Sequence, residues 1–292
     1  MLIAFKLKLA LACVAGLACP FAVAPLVSDH AMHNAAALRP AMVELAPGAL
    51  SYRAAGEFTR DGKVVEAPLL SIHVSGPLSI MQHQVSSADY QACVDDGVCH
   101  ALAHDVVISP ERPAVQVNWH DASAYAAWLS RKTGGRYRLP TDQEWALAAR
   151  SRFLDDGVTV DAANPAQRWI ARYDREAVRD ADTATRSFGT FGINENGLSD
   201  LSGNVWEWTA TCFTRSVLGA SGAVAKTNAN CGVRIAEGAH RAYVTDFIRD
   251  ARAGGCAAGT PPDNLGFRLV RDEPSFAARI AERFGKTFFL RG

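Results

Sequence analysis

The sequence has no surplus charge of either sign: 30 Lys plus Arg stand against 30 Asp plus Glu in 292 residues. That balance removes the bulk electrostatic argument for nucleic acid or an anionic membrane as partner. It also lacks any internal repeat or low-complexity tract. With 49% hydrophobic and 21% charged residues it reads as an ordinary globular chain of one large domain or two small ones. Long apolar runs are missing too. The run from Leu9 to Val23 is short for a membrane span of about 20 residues. It follows Lys6 and Lys8 and ends in Ala22-Val23-Ala24, a small-x-small pattern. Residues 1–24 therefore read as an export signal, which places the mature chain in the periplasm or outside the cell. Pro25 leaves the cut position open. An uncleaved N-terminal anchor is the alternative and the only membrane contact expected.

Cysteine is also scarce. Five cysteines follow the signal: Cys93, Cys99, Cys212, Cys231 and Cys256. An exported chain folds where disulfides persist. Cys93 and Cys99 flank the turn-forming Val94-Asp95-Asp96-Gly97-Val98, where a local disulfide is geometrically easy. Cys212 and Cys231 bracket a Ser/Gly/Ala-rich loop and make a second plausible pair. Spacing alone does not decide pairing. The odd count leaves one thiol, assigned to Cys256.

Residues 25–65 are Ala/Pro-rich with weak periodicity and read as a linker, before a domain at 66–275 and a C-terminal tail at 276–292. Ser86 is a cap candidate for a helix running to Val94, with Asp89 in its first turn. Pro113 to Trp119 alternates like a strand. Asp121 to Lys132 reads as a helix with an apolar stripe of Ala124, Ala127, Trp128 and Leu129, stopped by Gly134-Gly135. Thr141 and Glu144 form a capping box for a helix to about Arg150. Residues 151–190 are hard to assign. From Phe191 onward the chain is rich in Gly, Asn and Trp and has little helical periodicity. Long irregular segments in a compact domain need fixing by ions, disulfides or function.

Four ordered blocks carry a resemblance. They are Val117-Asn118-Trp119-His120-Asp121-Ala122-Ser123-Ala124-Tyr125, Tyr137-Arg138-Leu139-Pro140-Thr141-Asp142-Gln143-Glu144-Trp145, Asn196 through Gly203-Asn204-Val205-Trp206-Glu207-Trp208, and Asn264-Leu265-Gly266-Phe267-Arg268. Over roughly residues 68–272 the chain resembles the formylglycine-generating-enzyme (sulfatase-modifying-factor) family. The resemblance implies an α+β fold, a variant of the C-type-lectin fold with low regular secondary structure. It also implies a structural calcium held by the Asp200 and Glu207 side chains with the Gly203 and Val205 carbonyls. Acidic side chains and carbonyls are the oxygen donors that calcium selects. The plainer reading is that both carboxylates cap turns and pair with arginines. Trp119, Trp128, Trp145, Trp206 and Trp208 read as core. Arg268 reads as a buried arginine joining loops through its fork of donors.

In the catalytic family members, the segment matching Gly238-Ala239-His240-Arg241-Ala242-Tyr243-Val244 holds two cysteines that bind copper(I), a soft cation favouring thiolate. Here His240, Arg241 and Tyr243 match the family, and Ala239 and Val244 occupy the cysteine positions. Copper is therefore not expected. Glu237 and His240 become the candidate acid–base pair. The competing reading is surface ion pairing of the acidic residues here with Arg234, Arg241 and Arg249. The resemblance extends to exported, cysteine-less relatives of the type that oxidises the pyoverdine chromophore in the periplasm. It implies an exported protein that modifies or oxidises a peptide-derived substrate. A non-catalytic lectin-like binding or accessory module with a protein partner, presenting the Cys212–Cys231 loop, is the alternative. A true formylglycine-generating oxidase is disfavoured.

Overall fold

The computed structural model describes residues 39–154, 184–251 and 264–272. The signal at 1–24, the tail at 276–292 and Cys256 lie outside the described residues. Among those described, no helix is long and apolar enough to cross a membrane.

Residues 42–65, expected as part of a linker, form four strands instead: β1 (Met42–Leu45), β2 (Gly48–Arg53), β3 (Glu57–Arg60) and β4 (Lys63–Val65). The next two strands are β5 (Leu69–Val74) and β6 (Leu78–Met81). β1 pairs antiparallel with β6, Val43 opposite Ile80. β2 pairs with β5. The N-terminal strands are short and mostly only half-buried, and single apolar residues among polar ones carry their burial. Tyr52 and Phe58 are buried although their neighbours are polar or exposed. Only partners far along the chain reveal that pattern.

Three helices follow their local signals. Helix α1 (Ser87–Asp95) starts at Ser86, whose hydroxyl accepts the Asp89 N–H at 3.0 Å. Helix α2 (Trp119–Thr133) starts two residues earlier than the apolar stripe indicates, because Asn118 and Asp121 make a reciprocal capping box. It ends at Gly134, in the left-handed region at φ 72°. The strand expected over Pro113–Trp119 does not form. Pro113 makes one isolated bridge to Ser86, and Gln116 turns the chain at φ 58°. The alternation there buries Ala114, Val115 and Val117 from an extended loop instead. Helix α3 (Asp142–Ala149) has the Thr141–Glu144 box, in which the Glu144 carboxylate accepts the Thr141 N–H at 2.7 Å.

The second half is more regular than its composition indicates. β8 (Trp206–Leu218) and β9 (Val224–Glu237) form a long antiparallel hairpin with register shifts around Cys212. β10 (Arg241–Thr245) continues that sheet beyond β9, and β3 lies parallel to β8 on the other side. The short strand β7 (Tyr137–Arg138) precedes α3, while β11 (Leu265–Gly266) and β12 (Val270–Arg271) close the chain's described end. β12 bridges β6 and β7, so the first and last strands share one four-stranded sheet. Both expected disulfides form: Cys93–Cys99 from the last turn of α1 to the segment after it and Cys212–Cys231 across the hairpin. Trp128, Trp206 and Trp208 are buried with Tyr90, Tyr125 and Phe267 in one core cluster, and Trp145 is buried in a second with Ile80 and Leu198. Trp119 is partly buried against the first.

Candidate functional site

The Asp200–Glu207 turn is held by backbone that few residues adopt. Asp200, Ser202 and Asn204 all lie at positive φ, between 59° and 66°. A Cβ on Gly203 would meet the Phe191 ring at 2.6 Å, so the ring fits only against glycine. The Asp200 carboxylate accepts the Gly189 and Phe191 N–H groups at 2.7 and 2.8 Å. The Gly203 carbonyl accepts the Val205 N–H at 2.7 Å. Val205 itself is buried.

Glu207 receives four N–H donors. Oε1 accepts from Gln84 Nε2 at 2.8 Å and Arg268 Nη2 at 2.7 Å. Oε2 accepts from Trp145 Nε1 at 2.8 Å and Arg268 Nε at 2.6 Å. Arg268 also donates to the carbonyls of Met81, Gln82 and Ser199. Its side chain and that of Glu207 are both 0% exposed. As arranged, Asp200, Gly203, Val205 and Glu207 do not fit a calcium ion. The Glu207 oxygens face N–H donors, and a dication beside them would sit against the Arg268 guanidinium. The positive charge at this turn is the arginine, as the plainer reading of the two carboxylates had it for Glu207, and Asp200 caps the 189–191 turn.

The second centre surrounds the former cysteine positions. A Cβ on Gly238 would meet the Trp206 indole at 2.6 Å, so the turn from β9 into β10 lies flat on that ring. Val244 is fully buried and Ala239 packs partly buried against the core. The structure joins Glu237 to Arg241: Oε1 accepts Arg241 Nε at 2.8 Å. Arg241 Nη2 lies 3.3 Å from Asp142 Oδ2, and all three charged side chains are within 2% of full burial. Tyr52 donates its hydroxyl to Asp142 at 2.6 Å. Burial first, then the negative charge of Asp142, push the Tyr52 phenol well above its ordinary value, so it stays a donor. The Arg241 guanidinium also lies 5.2 Å from the Tyr52 ring centroid.

His240 turns elsewhere. Its Nδ1 lies 2.9 Å from the Arg241 carbonyl, which can only accept, so Nδ1 carries the proton of the neutral ring and Nε2 is the basic nitrogen. Its ring meets Trp206 edge-on at 5.1 Å. Of the arginines expected as surface partners, Arg241 is the buried partner of Glu237. Arg234 stacks over Trp119 at 3.8 Å, and Arg249 pairs with Asp121 at 2.8 Å.

Beside Tyr243 opens a cleft of about 440 Å³. Phe213 meets Tyr243 edge-on at 5.1 Å, and the Arg215 guanidinium lies 5.8 Å from the Phe213 centroid. Glu57, Asn228 and Asn230 complete the walls. The Tyr243 hydroxyl accepts the Gly56 N–H at 3.0 Å. Much of the cleft therefore comes from the hairpin between Cys212 and Cys231. Sequence reasoning missed Tyr52, Gln84 and Asp142. Gln84 stands outside the matched blocks, and the roles of the other two depend on contacts many residues away.

The sulfatase-modifying factor enzyme 1-like domain matches residues 27–273. The formylglycine-generating enzyme of Streptomyces coelicolor is 28% identical over 189 residues, 61% of this chain and 58% of that one. The inactive C-alpha-formylglycine-generating enzyme 2 of Mus musculus is 33% identical over 173 residues, 55% of this chain and 49% of that one. This chain thus spans about half the length of the curated relatives it matches. Among solved structures, PvdO from Pseudomonas aeruginosa superposes with a TM-score of 0.53 at 25% identity, covering 81% of this chain and 95% of that one. The α+β architecture is the family's variant of the C-type-lectin fold.

Proposed function

The chain belongs to the formylglycine-generating-enzyme (sulfatase-modifying-factor) family, and on that premise we propose that it is an exported member acting on a peptide-derived substrate without a copper–thiolate site. The observation that carries this reading is the pair Ala239 and Val244, one without a side-chain donor and the other sealed in the core. Copper(I) needs soft ligands that neither residue has. The His240, Arg241 and Tyr243 frame persists around them, and the resemblance to exported family members without the cysteine pair supports action on a peptide-derived substrate.

The cleft beside Tyr243 suits a phenol or catechol side chain flanked by peptide amides. Aromatic edges and a guanidinium pack against a ring, while Asn228 and Asn230 both donate and accept. Oxidation of a catechol to its quinone releases two electrons and two protons. Dioxygen accepts both and leaves as hydrogen peroxide. His240 packs against Trp206 and does not line this cleft, so its part is to relay a proton rather than to take it directly from the ring. Glu237, held by Arg241, positions that guanidinium rather than accepting protons.

The test uses the purified chain with a dihydroxyphenylalanine-containing peptide, following quinone absorbance and oxygen uptake. His240→Ala should lower kcat by about 100-fold, the usual scale for a proton-transfer group. An unchanged rate removes His240 from the role. Saturable peptide binding without turnover, lost in Phe213→Ala, would instead establish a non-catalytic binding module. The locking of Glu237 by Arg241 favours that second reading.

A further inference from the structure

A separate cavity, of about 500 Å³, is lined by Met81, His83, Gln84, Asp89, Glu111 and Phe188, among others. Its walls come from distant stretches pinned by backbone hydrogen bonds. Gln82 N–H donates to the Ala41 carbonyl at 2.9 Å, Ser87 N–H to Arg112 at 2.9 Å, and Phe188 N–H to Glu111 at 2.8 Å. Asp200 fixes the segment just beyond Phe188 through the Gly189 and Phe191 N–H groups. The cavity is therefore formed before any ligand arrives.

Two of its polar groups have no protein partner. The Gln84 amide can lie only one way, because Nε2 donates to Glu207 Oε1 at 2.8 Å and to the Asp200 carbonyl at 3.3 Å, and both are acceptors. That leaves Oε1 buried without a hydrogen bond on a side chain only 2% exposed. His83 Nδ1 is likewise buried without a partner. Burial first, then the positive charge of Arg268, hold the His83 imidazole below its ordinary 6.5, so it is neutral at pH 7. Its ring lies on Phe188 with centroids 5.0 Å apart. Asp89 and Glu111 are the charged lining residues, and both are acidic.

A buried acceptor, acidic charge, an aromatic face and the apolar wall of Met81 select a donor-rich cation with a short hydrocarbon body. We propose that this cavity binds a small primary alkylammonium ion, its NH₃⁺ donating to Gln84 Oε1 beside Asp89 and Glu111, its alkyl chain on Met81 and Phe188. The site is distinct from the Tyr243 cleft and does not depend on the function proposed above.

Titration calorimetry on the full chain tests it, with n-butylammonium as probe and n-butanol as the neutral control of the same shape. Butylammonium should bind saturably and butanol should not. Gln84→Met should weaken binding about tenfold and Glu111→Gln about threefold, the scales for a charged hydrogen bond and a partly screened charge. Gln84→Met also removes a donor to Glu207 and could unfold the protein. Glu111 is exposed, so its variant decides alone. Tighter binding of Nα-acetyl-lysine amide than of butylammonium assigns the ammonium to a lysine side chain, and the reverse to a free amine; either supports the site. Equal binding of butanol, or butylammonium affinity unmoved by Glu111→Gln, overturns it, as does no saturable binding at all, in which case water fills the cavity.

Discussion

Two buried ion clusters sit at the two places where the sequence pointed to chemistry. At the first, one carboxylate meets one guanidinium: Glu207 and Arg268, with Gln84 and Trp145 filling the remaining acceptor positions. At the second, Arg241 faces two carboxylates, Glu237 and Asp142, with Tyr52 donating to the latter. The first is charge-balanced, and Arg268 ties three backbone carbonyls to it. The second carries one more negative than positive charge and lies at the turn from β9 into β10, between the former cysteine positions Ala239 and Val244. In both, an arginine from the chain stands where the sequence suggested a foreign cation or a travelling proton. Removing a partner should therefore be costly in both, and more so where no second carboxylate can take over.

The sharpest way to break this comparison is Arg268→Ala. It strands a buried carboxylate and three carbonyls, and should cost about 3–5 kcal/mol by urea denaturation. A loss below 1 kcal/mol would mean that Glu207 is not held as described. Glu237→Gln should cost less, about 1–3 kcal/mol, because Arg241 keeps Asp142. Equal losses at the two centres would erase the distinction between them.

A partly exposed pair sets the scale for both. Arg138 forks onto Glu144 with two contacts of 2.7 Å. Burial raises the Glu144 carboxyl, but hydrogen bonds from Arg138 and Thr141 outweigh it and hold the group below its ordinary 4.5. A lowered folded value adds stability above the unfolded value, and that stability is lost as pH falls through the folded one. Glu144→Gln should cost about 1 kcal/mol at pH 7, and the difference from wild type should close as pH falls through the lowered folded value, as read from paired melts. The smallest effect expected is that of calcium. With Arg268 in place, Tm in millimolar calcium and in EDTA should agree within about 1 °C. A rise of several degrees in calcium would show that the ion competes successfully with the guanidinium.

Helix starts were legible because caps are local. Ser86, Asn118 and Thr141 each bond an N–H three residues on. The disulfides were legible as possibilities, since their flanking segments are turns and loops. The N-terminal strands were not, because β1 and β3 find their partners in β6 and β8, far along the chain. Nor was the length of the hairpin from Trp206 to Glu237, whose outer arm is exposed and polar and shows no buried face to read.

By itself the sequence determined the family, the order of its motif blocks, the absence of a thiolate pair and the capping of the helices. Each of those depends on residue identity or on neighbours within a turn. Only the tertiary structure decided what the charged residues do. Tyr52 and Asp142 lie 90 positions apart, and Arg241 reaches the carbonyl of Arg53 across 188. A carboxylate becomes a metal ligand, a base or half of an ion pair according to the charge that folding places beside it. For Glu207 and Glu237 that charge came from arginines of the same chain.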